Sequence, residues 1–414
     1  MTGRYVRGAC PRLSEPMQTG DGLLARLVTV GPMPLDAFSS LCAAARRHGN
    51  GVIEVSARGS LQMRGLTPVS APLFASSVAA LDIDFGDGVP VIADPLADDP
   101  TALIDANALA ADLRRTIAAK ALTLAPKVSV VVDGGSRLHL DALNADIRLR
   151  AAASSGSAML HVALAGDGAS ATPLGLMMPD AAVTVVTQLL AAIAALGPGA
   201  RARDLLRNTG IGALRAALNI GPALPLPARP RAEAIALHRL ADGTSALGLE
   251  LAFGHARADT LIDLAALAEA HGARWVRPAP DRALLLGPLS DAMAVAARHA
   301  AERLGFVVRL SDPRRRIVAC PGAPSCASGL IAARAIAAEL ARHLPASLSL
   351  VHVSGCGKGC AHPAPAPLTV IGTSQGCGIV RNGTSRMTPE TYADPASIVA
   401  VIERLSETRE AAHA

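Results

Sequence analysis

Four prolines in ten residues, Gly221 to Pro230 (GPALPLPARP), interrupt this chain near its midpoint, and the sequence on one side matches the sequence on the other. Asp36 to Gly49 reads DAFSSLCAAARRHG, and Asp259 to Gly272 reads DTLIDLAALAEAHG. Both segments open on an Asp able to cap a helix and close on His-Gly, where glycine suits a left-handed C-terminal position. Phe38 and Leu41 recur as Leu261 and Leu264, and each segment runs into strand-like sequence, Val52–Val55 and Trp275–Val276. A second match follows in the same order. Helical patterns around Ala111–Leu113 and Ala338–Leu340 lead into alternating strands at Val128–Gly135 and Leu348–Gly355. Agreement of helix ends, strands and central linker in one order predicts an internally duplicated α+β chain. Each copy would hold a small strand–helix–strand part and a larger part.

Composition removes several classes of function. Hydrophobic residues at 50% against charged residues at 18% exclude intrinsic disorder in a chain of 414 residues, which is long enough for several cores. Aromatics at 2% leave no base-stacking platform, and a net charge of +5 without basic runs gives no nucleic-acid footprint. The longest apolar stretch, Ala181 to Leu196, is too short to span a bilayer and stops at Gly197-Pro198. Met1 to Tyr5 carries no apolar signal core, so a cytoplasmic protein is expected, with no membrane partner. Seven cysteines in a reducing compartment then need a role other than structural disulfides.

Four of them cluster. Cys320-Pro-Gly-Ala-Pro-Ser-Cys326 follows the strand-like Arg316–Ala319, and Cys356-Gly-Lys-Gly-Cys360 follows the strand Leu348–Val353. A helix from about Ser328 to Leu344 joins them, so two strand ends can bring four thiolates together. Gly and Pro let backbone pass close to a metal site, and loop N–H groups stabilise anionic sulfur. The set suits a [4Fe–4S] cluster or a structural zinc, although zinc knuckles use shorter spacings. Two disulfides form a third reading that the compartment disfavours. Cys42 falls on a helix face as a small hydrophobe, while Cys10 and Cys377 fall in loops without a role. The duplication aligns Cys320–Cys326 with Ala93–Asp99, which holds no cysteine, so the first half is free to cover a substrate at the shared interface.

The first half instead offers cations. Within Glu54–Gly65, Arg58, Gln62 and Arg64 share one face of a strand pattern, and Lys127 precedes the Val128 strand. Arginine and lysine at strand ends suit carboxylates or phosphates, the alternative being a solvated strand face. Asp281 and Leu285 stand at the repeat-related positions. Arg314, Arg315 and Arg316 before Cys320 could meet an anion or redox partner, or form a plain charged turn.

With these motifs in place, the sequence resembles the sulfite/nitrite reductase superfamily. The resemblance rests on Cys320-x5-Cys326 with Cys356-x3-Cys360 behind a duplicated architecture. Within the superfamily it resembles more closely the branch that acts on precorrin-3A in aerobic cobalamin synthesis. The matching stretches are Cys10-Pro11, Pro16–Leu24, Arg58-x3-Gln62-x-Arg64-Gly65, Asp133–Gly135 with Ala145–Arg148, Ala319–Cys326 and Ser354–Pro363. The resemblance implies a pseudo-twofold α+β fold with two ferredoxin-like half-domains and two larger α/β domains. Residues 1–80 and 221–305 would form the half-domains, the latter with the linker; 81–220 and 306–414 would form the larger domains. It implies a [4Fe–4S] cluster on Cys320, Cys326, Cys356 and Cys360, with Cys360 facing a tetrapyrrole. Arg58, Gln62, Arg64 and Lys127 would bind that tetrapyrrole.

In the reductases, sirohaem and its anion are held by two Arg and two Lys. Here Arg58 and Lys127 match one of each, while Ser129 and Val89 stand at the other two positions. A small anion reduced at iron needs several cations, so these departures weigh against a sirohaem-dependent sulfite or nitrite reductase, the alternative reading. The closer branch implies O2- and NADH-dependent hydroxylation of precorrin-3A with lactone formation, and a non-haem iron. No 2-His-1-carboxylate pattern is visible for that iron, and His352 and His362 near the cysteines read as ordinary histidines. No G-x-G-x-x-G unit follows a strand, so a separate NADH-dependent electron donor is expected.

Overall fold

The computed structural model describes residues 11–86, 88–154, 156–222 and 225–411; Cys10 and the N-terminal stretch searched for a signal core lie outside them. Among the described residues twenty strands form four five-stranded sheets, paired as the duplication predicts. The first sheet orders Met17–Thr19, Gly22–Leu27, Leu61–Leu66, Val52–Val55 and His255–Arg257. Its counterpart orders Leu237–Arg239, Ser245–Glu250, Ala283–Leu289, Trp275–Ala279 and Met33–Pro34. Each sheet therefore takes its last strand from the other half of the chain. His255 pairs with Glu54, and Val276 with Met33. The exchanged strands immediately precede the repeated helices, Leu35–His48 and Ala258–Ala270, so both helices are carried across to one shared core. Phe38, Leu41, Ile53 and Met63 meet Leu247, Leu261, Leu264 and Leu286 there, all almost fully buried.

The other two sheets repeat one topology. Val91–Ala93, Val130–Asp133 and Ala145–Ser154 run parallel, followed by antiparallel Ser157–Gly166 and Thr172–Met177. Ile317–Ala319, Val351–Ser354 and Ala366–Thr373 run parallel, followed by antiparallel Gly376–Gly383 and Thr391–Ala393. Helices Ala106–Ala119 and Ala333–His343 make the first crossovers. The apolar stretch read above is the helix Ala182–Ala195, packed on the first of these sheets, and Gly197 ends it at φ +116°. Among the described residues no helix is long and apolar enough to cross a membrane.

The structure corrects several local readings. Asp36 and Asp259 are not caps; they lie inside the first helical turns, after Pro34 and Arg257. Their charge favours the helix N-terminus, and Asp259 also pairs with Arg46 of the other repeat. Gly272 is left-handed at φ +93°, but Gly49 is extended and needed because a side chain would strike the Arg64 carbonyl. The helix after Cys326 starts only at Ala333, because residues 328–331 bond to the cysteine loops: Leu330 N–H donates to Gly355 O at 2.7 Å. Cys377 lies in a strand rather than a loop, fully buried, and burial pushes its thiol up to about 11. The linker is not a free spacer: Arg229 reaches Asp133 and Asp141, and Arg150 donates to Pro227 O at 3.0 Å.

Candidate active site

The non-core face of the first sheet faces a cleft. Leu23, Ala25 and Leu27 point into the core, which puts Arg26 on the opposite face; Leu61 and Met63 do the same for Gln62 and Arg64. Register then aligns Arg26, Gln62, Glu54 and His255 in one cross-strand row. Between this face and the first large sheet lies a cavity of about 610 Å³. It takes Arg26, Arg58 and Gln62 from one wall and Lys127, Ser129, Asn144 and Asp146 from the other, with Arg201 and Arg203 from a helix start. Five cationic side chains thus surround one acid, and that acid is engaged: Asp146 accepts from Arg201 at 2.8 and 2.9 Å and from the backbone of Ser129 and Ala202. Arg58 is preset across the cleft, donating to Asn144 O at 2.7 Å and Ser129 Oγ at 3.3 Å.

Arg58, Gln62 and Lys127 therefore meet in one cavity, and Arg64 does not line it. Arg64 is turned to acids: it grips Asp21 at 2.7 and 2.8 Å and Glu54 at 3.0 Å, and only 11% of its side chain is exposed. Strand alternation puts it on the expected face, where it is paired with two carboxylates and lies outside the cavity. Burial opposes the Asp21 anion, yet the hydrogen bonds and charge of Arg64 outweigh it and hold the carboxyl below its usual range. Glu54 also accepts from Arg334 of the helix before His343. Arg26, Arg201 and Arg203 were missed. The alternation of Gly22–Leu27 carries the signal for Arg26, whereas no spacing marks the two residues at the helix start.

The cysteines sit at strand ends as expected. Cys320 follows Ile317–Ala319, and Cys356 and Cys360 follow Val351–Ser354. Cys320 Sγ accepts the Gly355 N–H at 3.0 Å. Burial pushes its thiol up, as do the neighbouring Cys356 and Cys360. Cys326 lies in the same loop, its N–H donating to Gly322 O at 2.7 Å, and its sulfur faces Gly20 in the turn after Thr19. All four are free thiols, and none lines the cavity. Among the described residues no three of these sulfurs lie within 4.8 Å of one another. Tetrahedral zinc with bonds near 2.3 Å would hold them about 3.8 Å apart. Four cysteine sulfurs are a donor set that suits an iron–sulfur cluster or a zinc ion.

His352 and His362 stack edge to face, with centroids 5.7 Å apart. Both His352 nitrogens and His362 Nε2 are buried without a hydrogen-bond partner, and burial, then His362, lowers His352 to about 4. Asp133, His139 and Asp141 are the residues close enough together for one ion among those described, but Arg229 already occupies both carboxylates. The three arginines before Cys320 turn inward: Arg314 to Asp312, Arg315 to Glu250 and Glu233, Arg316 to the carbonyls of Pro345 and Leu348. Val89 lies outside the cavity, in a separate depression beside Phe85 and Arg114.

Strand exchange between two small sheets, with two topologically matched α/β sheets beside them, defines the sulfite/nitrite reductase fold. The chain superposes on the Mycobacterium tuberculosis NirA protein with a TM-score of 0.72, covering 93% of this chain and 80% of that one, at 18% identity. No family model matches the chain. A Sinorhizobium protein named precorrin-3B synthase is 37% identical over 407 residues, 96% of this chain and 88% of its relative. The chain belongs to the precorrin-3B synthase family.

Proposed function

We propose that this chain is an oxidoreductase of aerobic cobalamin synthesis that converts precorrin-3A to precorrin-3B. In this reaction O2 gives one oxygen atom to the C20 meso position and the other leaves as water. The two further electrons come from NADH through a separate donor protein, and a ring-A acetate closes the lactone. The observation that carries the reading is the pairing, in a chain of this family, of a cavity lined by five cations with a four-cysteine motif whose Cys326 loop meets the turn of the same sheet. A porphyrinoid bearing many acetate and propionate arms needs several cations within one cavity, and arginine suits carboxylates through paired N–H donors.

Arg58, Gln62 and Lys127 would hold those arms, with Arg26 and Arg203 added to the set. Ser129 and Asn144 fix Arg58 in advance, which lowers the cost of ordering it on binding. Held by Cys320, Cys326, Cys356 and Cys360, a [4Fe–4S] cluster would supply one-electron transfer. The C-x5-C spacing, longer than a zinc knuckle, and the Gly355 N–H on Cys320 support that donor role over a single zinc ion. The strands Gly22–Leu27 and Leu61–Leu66 connect the two regions, carrying Arg26 and Gln62 at the cavity and Gly22 and Arg64 toward the cysteine loop. Gly22 and Arg26 are about 13 Å apart along an extended strand. No step is assigned to a non-haem iron.

Anaerobic purification followed by iron, sulfide and absorbance analysis tests the reading together with tetrapyrrole titration. Iron and labile sulfide near four per chain are expected, without a sirohaem band. Lys127→Ala and Arg58→Ala should each weaken tetrapyrrole binding about tenfold or more, the worth of one charge-assisted hydrogen bond. A sirohaem band, or unchanged affinity in both variants, overturns it.

A further inference from the structure

Three of the four clustered cysteines are held by the second half's own parallel sheet, and the fourth is not. Cys320 and Cys356 lie one and two residues beyond the strands Ile317–Ala319 and Val351–Ser354, and Cys360 follows six residues beyond the second. Cys326 comes seven residues beyond its strand, in a loop, and the surface behind its sulfur belongs to the first half of the chain. Ala327 N–H donates to Gly20 O at 2.8 Å, and a Cβ placed on Gly20 would overlap Cys326 Sγ. Gly20 lies outside the left-handed region, so its backbone does not require glycine; only the sulfur does.

The turn carrying Gly20 is itself clamped. Asp21, its carboxylate 4% exposed, accepts Thr19 Oγ1 at 2.7 Å and two N–H groups of Arg64. Arg64 passes on to Glu54, and Glu54 to Arg334 on the helix that follows the cysteine loop. One line of alternating charges therefore ties the turn, the first sheet and the cysteine domain together. Buried charge pairs of this kind fix geometry at least as much as they add stability.

We propose that the turn Thr19–Gly22, clamped by Asp21 and Arg64, is the seat that positions Cys326 for the cluster. Gly20 and Arg64 are then positioning residues that act through Cys326. The inference rests on the reading that the four cysteines hold a cluster, and the experiment separates the two. Full-length protein is purified anaerobically, assayed for iron and sulfide, then stripped with chelator. Alkylation by iodoacetamide is followed cysteine by cysteine by mass spectrometry. Gly20→Ala should raise the alkylation rate of Cys326 severalfold over that of Cys356 and cut bound iron and sulfide to less than half. Buried Cys42 and Cys377 should stay protected, which shows an intact fold. Gly31→Ala, where an added Cβ meets nothing within 4 Å, is the control. Should Gly20→Ala expose Cys42 and Cys377, Asp21→Asn takes its place, with the same selective rise at Cys326 and a severalfold faster loss of iron to chelator. Wild-type Cys326 reactivity in the folded variant overturns the seat. Wild-type protein without iron or sulfide overturns the cluster reading, while the alkylation rates still decide the seat.

Discussion

Arg229 offers the sharpest test of how the linker is built into the fold. Its guanidinium donates to Asp141 at 2.8 and 2.9 Å and to Asp133, whose carboxylate is completely buried. Asp141 would keep other cations without it: Arg148 lies at 3.5 Å and Arg150 at 3.6 Å. Asp133 would keep the hydrogen bonds of the Gly135 and Leu140 N–H groups and the more distant charges of Arg148 and Arg150, and it faces Asp94, whose carboxyl burial and the Asp133 charge already raise to about 7. Removing one partner of a buried pair costs about 3–5 kcal/mol. Because one carboxylate is stranded rather than two, Arg229→Met should cost about 3 kcal/mol at pH 8, or about 1 M in the urea midpoint of a domain with m near 3 kcal/mol/M.

The assay is built in. The single tryptophan, Trp275, packs on the cluster of Leu96, Leu138 and Leu285 that joins the two halves, so its fluorescence follows this contact. The sign with pH is fixed by linkage. In the wild type Arg229 holds the Asp141 carboxyl below its usual range against burial, a contribution present above the unfolded value of 3.8 and lost as pH falls through the lowered one. In the variant that contribution is weakened. The gap between the proteins must therefore hold from pH 8 to pH 5 and narrow as pH falls below about 4. Equal midpoints at pH 8, or a gap that stays constant down to about pH 3, would refute the argument.

Asp94→Asn should flatten the pH dependence of stability. A carboxyl raised to about 7 from 3.8 loses stability as pH rises between those values, so the variant gains at pH 8 and not at pH 4, measured by urea unfolding at both. Phe38→Ala, at a residue 1% exposed in the core built from both halves, should cost about 3–5 kcal/mol. Hydrogen exchange should rise in Val52–Val55 and Trp275–Ala279 alike; a rise confined to the first half would show the core is not shared. Gly175→Ala should destabilise, because its Cβ would strike Ile220 and the Gly221 carbonyl where the linker leaves the first half, and wild-type thermal stability would refute it.

The duplication and the cysteine placement were legible because each is written in order along the chain. Strand, cysteine and glycine-bearing loop follow one another from Ile317 and from Val351, and local sequence suffices to place them. Strand exchange was not legible. Met33–Pro34 and His255–Arg257 are two and three residues long, too short for any periodicity, and only the finished core decides which sheet they join. Arg64 shows the same limit from the other side. Alternation gives the face a side chain points to, but Asp21 and Glu54, which pair with it, reach it through tertiary structure. The cavity wall at Arg201 and Arg203 comes from a helix start that no spacing distinguishes from a surface helix.

Strand register, finally, changes what the duplication says about the two halves. Aligning Val91–Ala93 on Ile317–Ala319 matches Cys320 with Asp94, one residue beyond the Ala93 expected from sequence, and Gly355 with Gly134. The matched residues make the same bond: Gly355 N–H to Cys320 Sγ at 3.0 Å, Gly134 N–H to Asp94 Oδ2 at 2.9 Å. The hairpins meet the matching loops as well, with the bond reversed: Ala241 N–H of residues 240–244 donates to Asp98 O, whereas Gly20 O accepts the Ala327 N–H of the Cys326 loop. One backbone frame thus presents an anion-stabilising N–H at both sites. In the second half the frame holds sulfur. In the first it holds a carboxyl beside Asp133, and the compensating positive charge arrives as a guanidinium from the linker. Arg229 therefore stands in the first half where the proposed cluster stands in the second. The first half, with its site closed by an ion pair, is left to build the cationic cavity at the opposite end of its parallel strands, around Lys127 and Ser129.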